Sequence, residues 1–243
     1  MAEGVRIDRL LSLLALGTRG QAKSMVKAGR VEISGETVTD ASQYAPAGAT
    51  VLLDGHNIDT RLERHVLMNK PAGLLTAARD SRQKTVMDLL PPVYAGLKCM
   101  PVGRLDKDTE GLLILTTDGQ LAHRLLSPKQ DVAKVYRAKV TGRLDTGTVQ
   151  RFREGIVFKE FVSLPAKLEI EETTSDTSIA TVSVREGKFH QVKRMFSACG
   201  HEVLFLKRLS FGPIVLDENS APGEWREMRD DEINRLKEAA NIG

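Results

Sequence analysis

The sequence predicts an α+β protein: a small N-terminal α/β domain at 1–56, a linker at 57–64, and a larger domain at 65–243. The larger domain is expected to hold a mainly antiparallel mixed sheet flanked by helices and loops. Three observations carry this. Two short helical patterns crowd the first thirty residues. From His65 onward strand patterns dominate and arrive as hairpins, not as alternating β-α-β units. Between them, Gly55 to Arg64 is polar and shows no periodicity, as a linker would.

Taking the elements in order, Ile7, Leu10, Leu11 and Leu14 recur at helical spacing within 5–16, and Gly17 ends that helix. Thr18 can cap the next helix, which Gly29 closes. Ala22, Met25 and Val26 form its apolar face, while Arg19, Lys23 and Lys27 fall at i, i+4 and i+8 as one basic stripe. R-V-E-I-S-G-E-T-V then alternates like a hairpin turning at Ser34-Gly35, and a strand follows at Thr50–Leu53. V-L-M-N-K-P-A-G is a strand entering a Pro/Gly turn. Leu112–Leu115 is a buried strand, with a helix near 120–127 after a polar turn. V-Y-R-A-K-V alternates, and a helix is expected around 146–154. K-L-E-I-E and I-A-T-V-S-V flank a polar hairpin turn. Residues 188–199 read as an amphipathic helix closed by Gly200.

Composition narrows the class. With 243 residues, 41% apolar and 28% charged, the chain can bury a sizeable core without disulfide staples. Cys99 and Cys199 lack paired spacing, which suits a reducing cytoplasm. No apolar run approaches the roughly 18 residues of a membrane span. The net charge of +3 is small, but it is unevenly spread. Residues 1–30 carry a net +4, including Arg30, and residues 31–60 a net −5, so the N-terminus is a local basic footprint suited to phosphates.

The stretch G-R-L-D-K-D-T-E-G-L-L-I-L-T-T-D-G at 103–119 poses the chemical question. Asp106, Asp108 and Glu110 could be a metal cage, a catalytic acid or turn chemistry. Counted from Asp106, a calcium loop would need an acid at its twelfth position, where Thr117 stands. The five histidines and two cysteines form no metal motif. In the 188–199 segment, His190, Lys193, Arg194 and Ser197 oppose an apolar stripe, so cations gather where a phosphate or carboxylate could meet them.

Four segments share a family likeness. M-N-K-P-A-G, the 103–119 stretch, K-V-Y-R, and E-G-K-F-H-Q-V-K-R-M-F together resemble the RsuA-like branch of the pseudouridine synthases. The closing P-G-E-W-R-E-M and acidic helix fit as well. Residues 5–53 resemble the S-four RNA-binding domain, with Thr18-Arg19-Gly20 and Ser34-Gly35 replacing the more usual Ser-Arg and Asn-Gly. Lys188 stands where arginine is common.

The resemblance implies isomerisation of a uridine to pseudouridine in ribosomal RNA, with neither cofactor nor metal. It maps the essential aspartate to Asp106, the aromatic residue to Tyr136 and the basic partner to Lys193. Tyr136 would stack on the extruded uracil, and a cation beside Asp106 would favour its anionic form. Asp108, Thr109, Glu110 and Gly111 are assigned to shaping the turn. RNA contacts are expected from Asn69, Lys70, Arg104, Lys188, His190, Gln191 and Arg194, with Arg19, Lys23, Lys27 and Arg30 in the N-terminal domain. The expected partner is ribosomal RNA or a partly assembled subunit, met by a monomer. The N-terminal domain and the short end after residues 229–240 point to small-subunit (16S) RNA; the alternatives are large-subunit (23S) RNA or a non-catalytic assembly factor.

Overall fold

Ile7, Leu10, Leu11 and Leu14 share one helical face, and the N-terminal unit is organised around burying it. The computed structural model describes residues 4–242. Strand β1 (Val5–Arg6) leads into α1 (Ile7–Leu13). The helix starts two residues later than its spacing suggests, because Val5 and Arg6 pair with Ala45 and Tyr44. Helix α2 (Arg19–Lys27) begins at Thr18, which closes a capping box with Gln21. Strands β2 (Val31–Ile33) and β3 (Glu36–Val38) form the expected hairpin. Its turn residues Ser34 and Gly35 have φ of +52° and +87°, as a tight hairpin turn requires. Strands β4 (Tyr44–Ala45), β5 (Val51–Leu53) and β6 (His56–Asn57) follow, and the small sheet runs β3-β2-β5-β6. Val26, Val31, Val38 and Val51 close the core against α1.

The larger sheet begins with β7 (His65–Lys70), buried along its whole length. The strands β8 (Met100–Pro101), β9 (Glu110–Thr116), β10 (Lys134–Thr141), β11 (Lys167–Thr173), β12 (Thr177–Val184), β13 (Val203–Phe211), β14 (Ile214–Val215) and β15 (Trp225–Glu227) complete it. Its order is β11-β12-β10-β13-β9-β7-β15, with β8 and β14 attached at its side. Among the described residues the β9–β13 pairing is parallel and the other ladders are antiparallel. The mixed α+β architecture is therefore the one the sequence predicts.

Five helices, α3 (Pro92–Gly96), α4 (Gly119–Leu126), α5 (Thr146–Glu154), α6 (Gln191–Ala198) and α7 (Asp230–Ala239), cover the sheet. Alternation along β7 and β9 divides their side chains between two cores. Leu67, Leu112 and Ile114 pack with Leu121 and Leu125 of α4 and Leu236 of α7. Val66, Met68, Leu113 and Leu115 pack with Tyr94 of α3 and with Leu105. A third core joins β10 and β12 to α5 and α6, where Phe152 and Phe196 meet at 4.9 Å. The loop bearing Asp106 thus runs directly into β9, a strand that is packed on both faces.

The 57–64 segment is tied down by charge. Arg64 reaches Asp59 and Glu227 at 2.8 Å each, and Arg61 reaches Glu227 at 3.0 Å. No helix among the described residues is long and apolar enough to cross a membrane.

Candidate active site

Asp106 sits in a loop whose backbone carbonyls are held one by one. Thr76 donates to the Leu105 carbonyl at 2.8 Å, and the Thr109 amide donates to that of Asp106 at 3.1 Å. The Gly73 amide reaches the Lys107 carbonyl at 2.7 Å. Lys70, fully buried at the end of β7, donates to Pro71, Lys107 and Thr109 carbonyls at 2.9, 3.3 and 2.9 Å. Burial pushes the Lys70 ammonium down to about 8, although the carboxylates of Asp108, Glu110 and Asp106 pull the other way. Gly111 lets β9 approach β13 closely: a Cβ there would lie 2.3 Å from the Arg208 carbonyl oxygen, and its φ is +103°. These contacts explain why M-N-K-P-A-G accompanies the aspartate stretch. The first segment braces the second.

The segment before α6 supplies the opposite wall. The helix starts at Gln191, three residues later than the 188–199 pattern predicts. His190 adopts a left-handed φ of +51°, which breaks the helix. Gln191 folds back to accept the Lys188 amide at 2.9 Å and donates to Glu186 at 2.6 Å. That turn aims His190 Nε2 at Asp106 Oδ1, 3.4 Å away. One helical turn on, Lys193 Nζ lies 3.7 Å from Asp106 Oδ2 and 2.5 Å from Asp108 Oδ1. The Lys193 hydrogen bond and charge hold the Asp108 carboxyl below its ordinary value, against the opposing effect of burial.

Tyr136 comes from β10, opposite Val182 on β12 and Arg208 on β13. It is half-buried and lines the same cleft as Arg104, Asp106, His190 and Lys193. A carboxylate, three basic side chains and an aromatic ring therefore converge on one opening. Such a set can bind a planar base, stabilise an anion and move a proton.

The expected RNA contacts divide. Arg104 and Lys188 are exposed at this cleft, and neither has an ion pair among the described residues. Asn69, Lys70 and Gln191 are buried and hydrogen-bonded within the protein: Lys70 and Gln191 through the contacts above, and Asn69 to the Ser220 carbonyl at 2.7 Å, with its Oδ1 left unpartnered. Arg194 is likewise engaged, with Glu160 at 2.6 Å and the Phe158 and Phe161 rings at 4.7 and 5.2 Å. On α2, Lys23 and Lys27 are exposed. Arg19 leans on buried Asp8 at 3.5 Å, and Arg30 forms a two-pronged pair with Asp54 at 2.7 and 2.6 Å.

Some contributors carry no readable signal in sequence. Asp108 lies in the turn assigned to it, and it also makes the tightest contact to Lys193. Thr76 is an ordinary threonine until the fold sets it against Leu105. Lys107, beside Asp106, donates through Nζ to the side-chain oxygen of exposed Gln83 at 2.8 Å.

The chain is similar to known proteins over nearly its whole length. An uncharacterised RNA pseudouridine synthase of Bacillus subtilis (strain 168) is 43% identical, covering 96% of this chain and 99% of the relative. The ribosomal small subunit pseudouridine synthase A of Vibrio parahaemolyticus is 36% identical over 96% of this chain and 99% of its own. The ribosomal large subunit pseudouridine synthase B of Bacillus subtilis is 32% identical over 98% of each. A crystal structure of a pseudouridylate synthase superposes with a TM-score of 0.67 at 31% identity, covering 96% of this chain and 99% of that one. Residues 5–51 match the S4 domain and residues 64–198 match RNA pseudouridylate synthase. The cleft walls at 104–109, 136 and 186–193 all fall inside that second stretch, and the chain belongs to the RNA pseudouridylate synthase family.

Proposed function

We propose that this enzyme converts one uridine of ribosomal RNA to pseudouridine, with residues 65–243 as the catalytic unit and 1–56 as the domain that grips the RNA. The observation that carries the reading is the convergence of Asp106, His190, Lys193 and Tyr136 on one cleft. In this reading the target base leaves its stack and enters against Tyr136. Flipping costs a few kcal/mol, least in loops and distorted RNA. Asp106 is the anion that attacks the sugar or base, and Lys193 balances its charge. Tyr136 stacks on the uracil, and its hydroxyl takes part in proton transfer at carbon 5. Arg104 fills the gap in the RNA stack or holds a phosphate. Lys23 and Lys27 add phosphate contacts along α2.

Small-subunit RNA in the cytoplasm is the first substrate to test, supported by the small-subunit relative at 36% identity. Large-subunit RNA is the second reading, favoured by the large-subunit relative at 32%. Carbodiimide adduct mapping with primer extension on both RNAs, from a strain lacking the protein, distinguishes them. One new stop after incubation, lost with Asp106→Asn, is expected. No stop on naked RNA or on partly assembled subunits would overturn the assignment.

A further inference from the structure

Phe189 is 75% exposed, although a phenyl ring on a folded surface gains nothing from water. It is not loose. Its ring stacks on that of His190, with centroids 3.8 Å apart and planes tilted by 17°. His190 in turn sits 3.4 Å from Asp106. The left-handed turn at His190 and the Gln191–Lys188 hydrogen bond fix this arrangement at the cleft mouth. Lys188 precedes the ring and Arg104 lines the same cleft, both exposed. An aromatic face flanked by cations is the pattern that holds single-stranded nucleic acid.

We propose that Phe189, backed by His190, is a stacking platform for the unpaired base next to the target uridine. The inference rests on the RNA-modifying reading and adds a second base subsite to it. One ring face lies against the imidazole, which leaves the other for a nucleobase. The chain step from His190 to Phe189 carries the surface out of the cleft, so the platform takes a flanking base and not the base at Asp106. Stacking tolerates any base, so this subsite holds the strand in place without reading its sequence.

The test uses decauridylate carrying a single 5-iodouridine, irradiated with the full-length protein and mapped by mass spectrometry. The expected adduct is on Phe189. In parallel, fluorescence anisotropy with labelled decauridylate compares the protein with Phe189→Ala, Phe189→Tyr and Val215→Ala, an exposed apolar control. Phe189→Ala should weaken binding about tenfold, in line with the loss of one stacked base. Phe189→Tyr should restore it, and Val215→Ala should match the parent protein. Adducts confined to other residues, or unchanged affinity in Phe189→Ala, would overturn the platform. A change of oligomeric state in Phe189→Ala would make the ring an interface between copies, and would overturn it too. Pseudouridine mapping with the unaltered protein judges the enzymatic reading separately. A positive crosslink with no isomerisation would sink that reading and leave the platform standing.

Discussion

Lys193 stands between two carboxylates, 3.7 Å from Asp106 and 2.5 Å from Asp108. The closer contact is to the more exposed acid, so Asp108 holds the ammonium while Asp106 stays open to a ligand. Asp106→Asn is expected to lower isomerisation at least about 10³-fold while RNA binding persists. Asp108→Asn removes an exposed pair worth about 0–1 kcal/mol, so turnover should change less than about fivefold. Pseudouridine mapping and filter binding on both variants check this. Equal losses from the two would show that the paired acids act as one unit.

Lys70 braces the loop from below. Lys70→Met leaves buried carbonyls without their donor and should cost about 3 kcal/mol of stability. The pH dependence has a definite sign. In the folded state its pKa is pushed from 10.5 to about 8. Below about pH 8 both states hold the proton and the burial cost is constant. Between about 8 and 10.5 the unfolded chain binds the proton more tightly, so Lys70's contribution becomes more favourable as pH rises. The stability gap to Lys70→Met, from urea unfolding, should widen across that window. A narrowing gap would contradict the buried-ammonium account.

Glu232 behaves in the opposite sense. Arg226 hydrogen bonds, helped by Arg229, lower its carboxyl from 4.5 to about 2 against the pull of burial. Its stabilisation is full above about pH 4.5 and is lost as pH falls toward about 2. Glu232→Gln should cost on the order of 2 kcal/mol at pH 7, with the difference vanishing in acid. Urea midpoints at pH 7, 4 and 2.5 measure it.

Gly111→Ala tests the close approach of β9 and β13. A Cβ 2.3 Å from a backbone oxygen, at φ +103°, forces the strands apart. Stability should fall by at least about 2 kcal/mol. Thermal unfolding with normal melting would refute the constraint.

RNA affinity should fall with salt. Lys23→Ala and Lys27→Ala should each flatten the slope of log affinity against log salt by about 0.7, with similar losses for unrelated RNAs. An unaltered slope would remove α2 from the binding surface.

The sequence alone determined the α+β class, both N-terminal helices and the Ser34-Gly35 hairpin, which follow from periodicity and turn chemistry, both local along the chain. The candidate trio Asp106, Tyr136 and Lys193 is what the family resemblance of its motifs implies. The tertiary structure decided what each polar residue does. Lys70 and Asn69 look like surface contacts in M-N-K-P, but burial on β7 turns them inward. The 188–199 pattern reads as one helix, because Val192, Met195, Phe196 and Cys199 form an apolar stripe opposite His190, Lys193, Arg194 and Ser197. Only the fold shows that His190 breaks it, in a left-handed turn where Gln191 accepts the Lys188 amide and also donates to Glu186. Thr76 is 29 residues from Leu105 in sequence and Asp108 is 85 from Lys193, so no local pattern encodes their contacts. Contacts between distant segments form only when β7, β9 and α6 pack, and that packing sets the chemistry of the cleft.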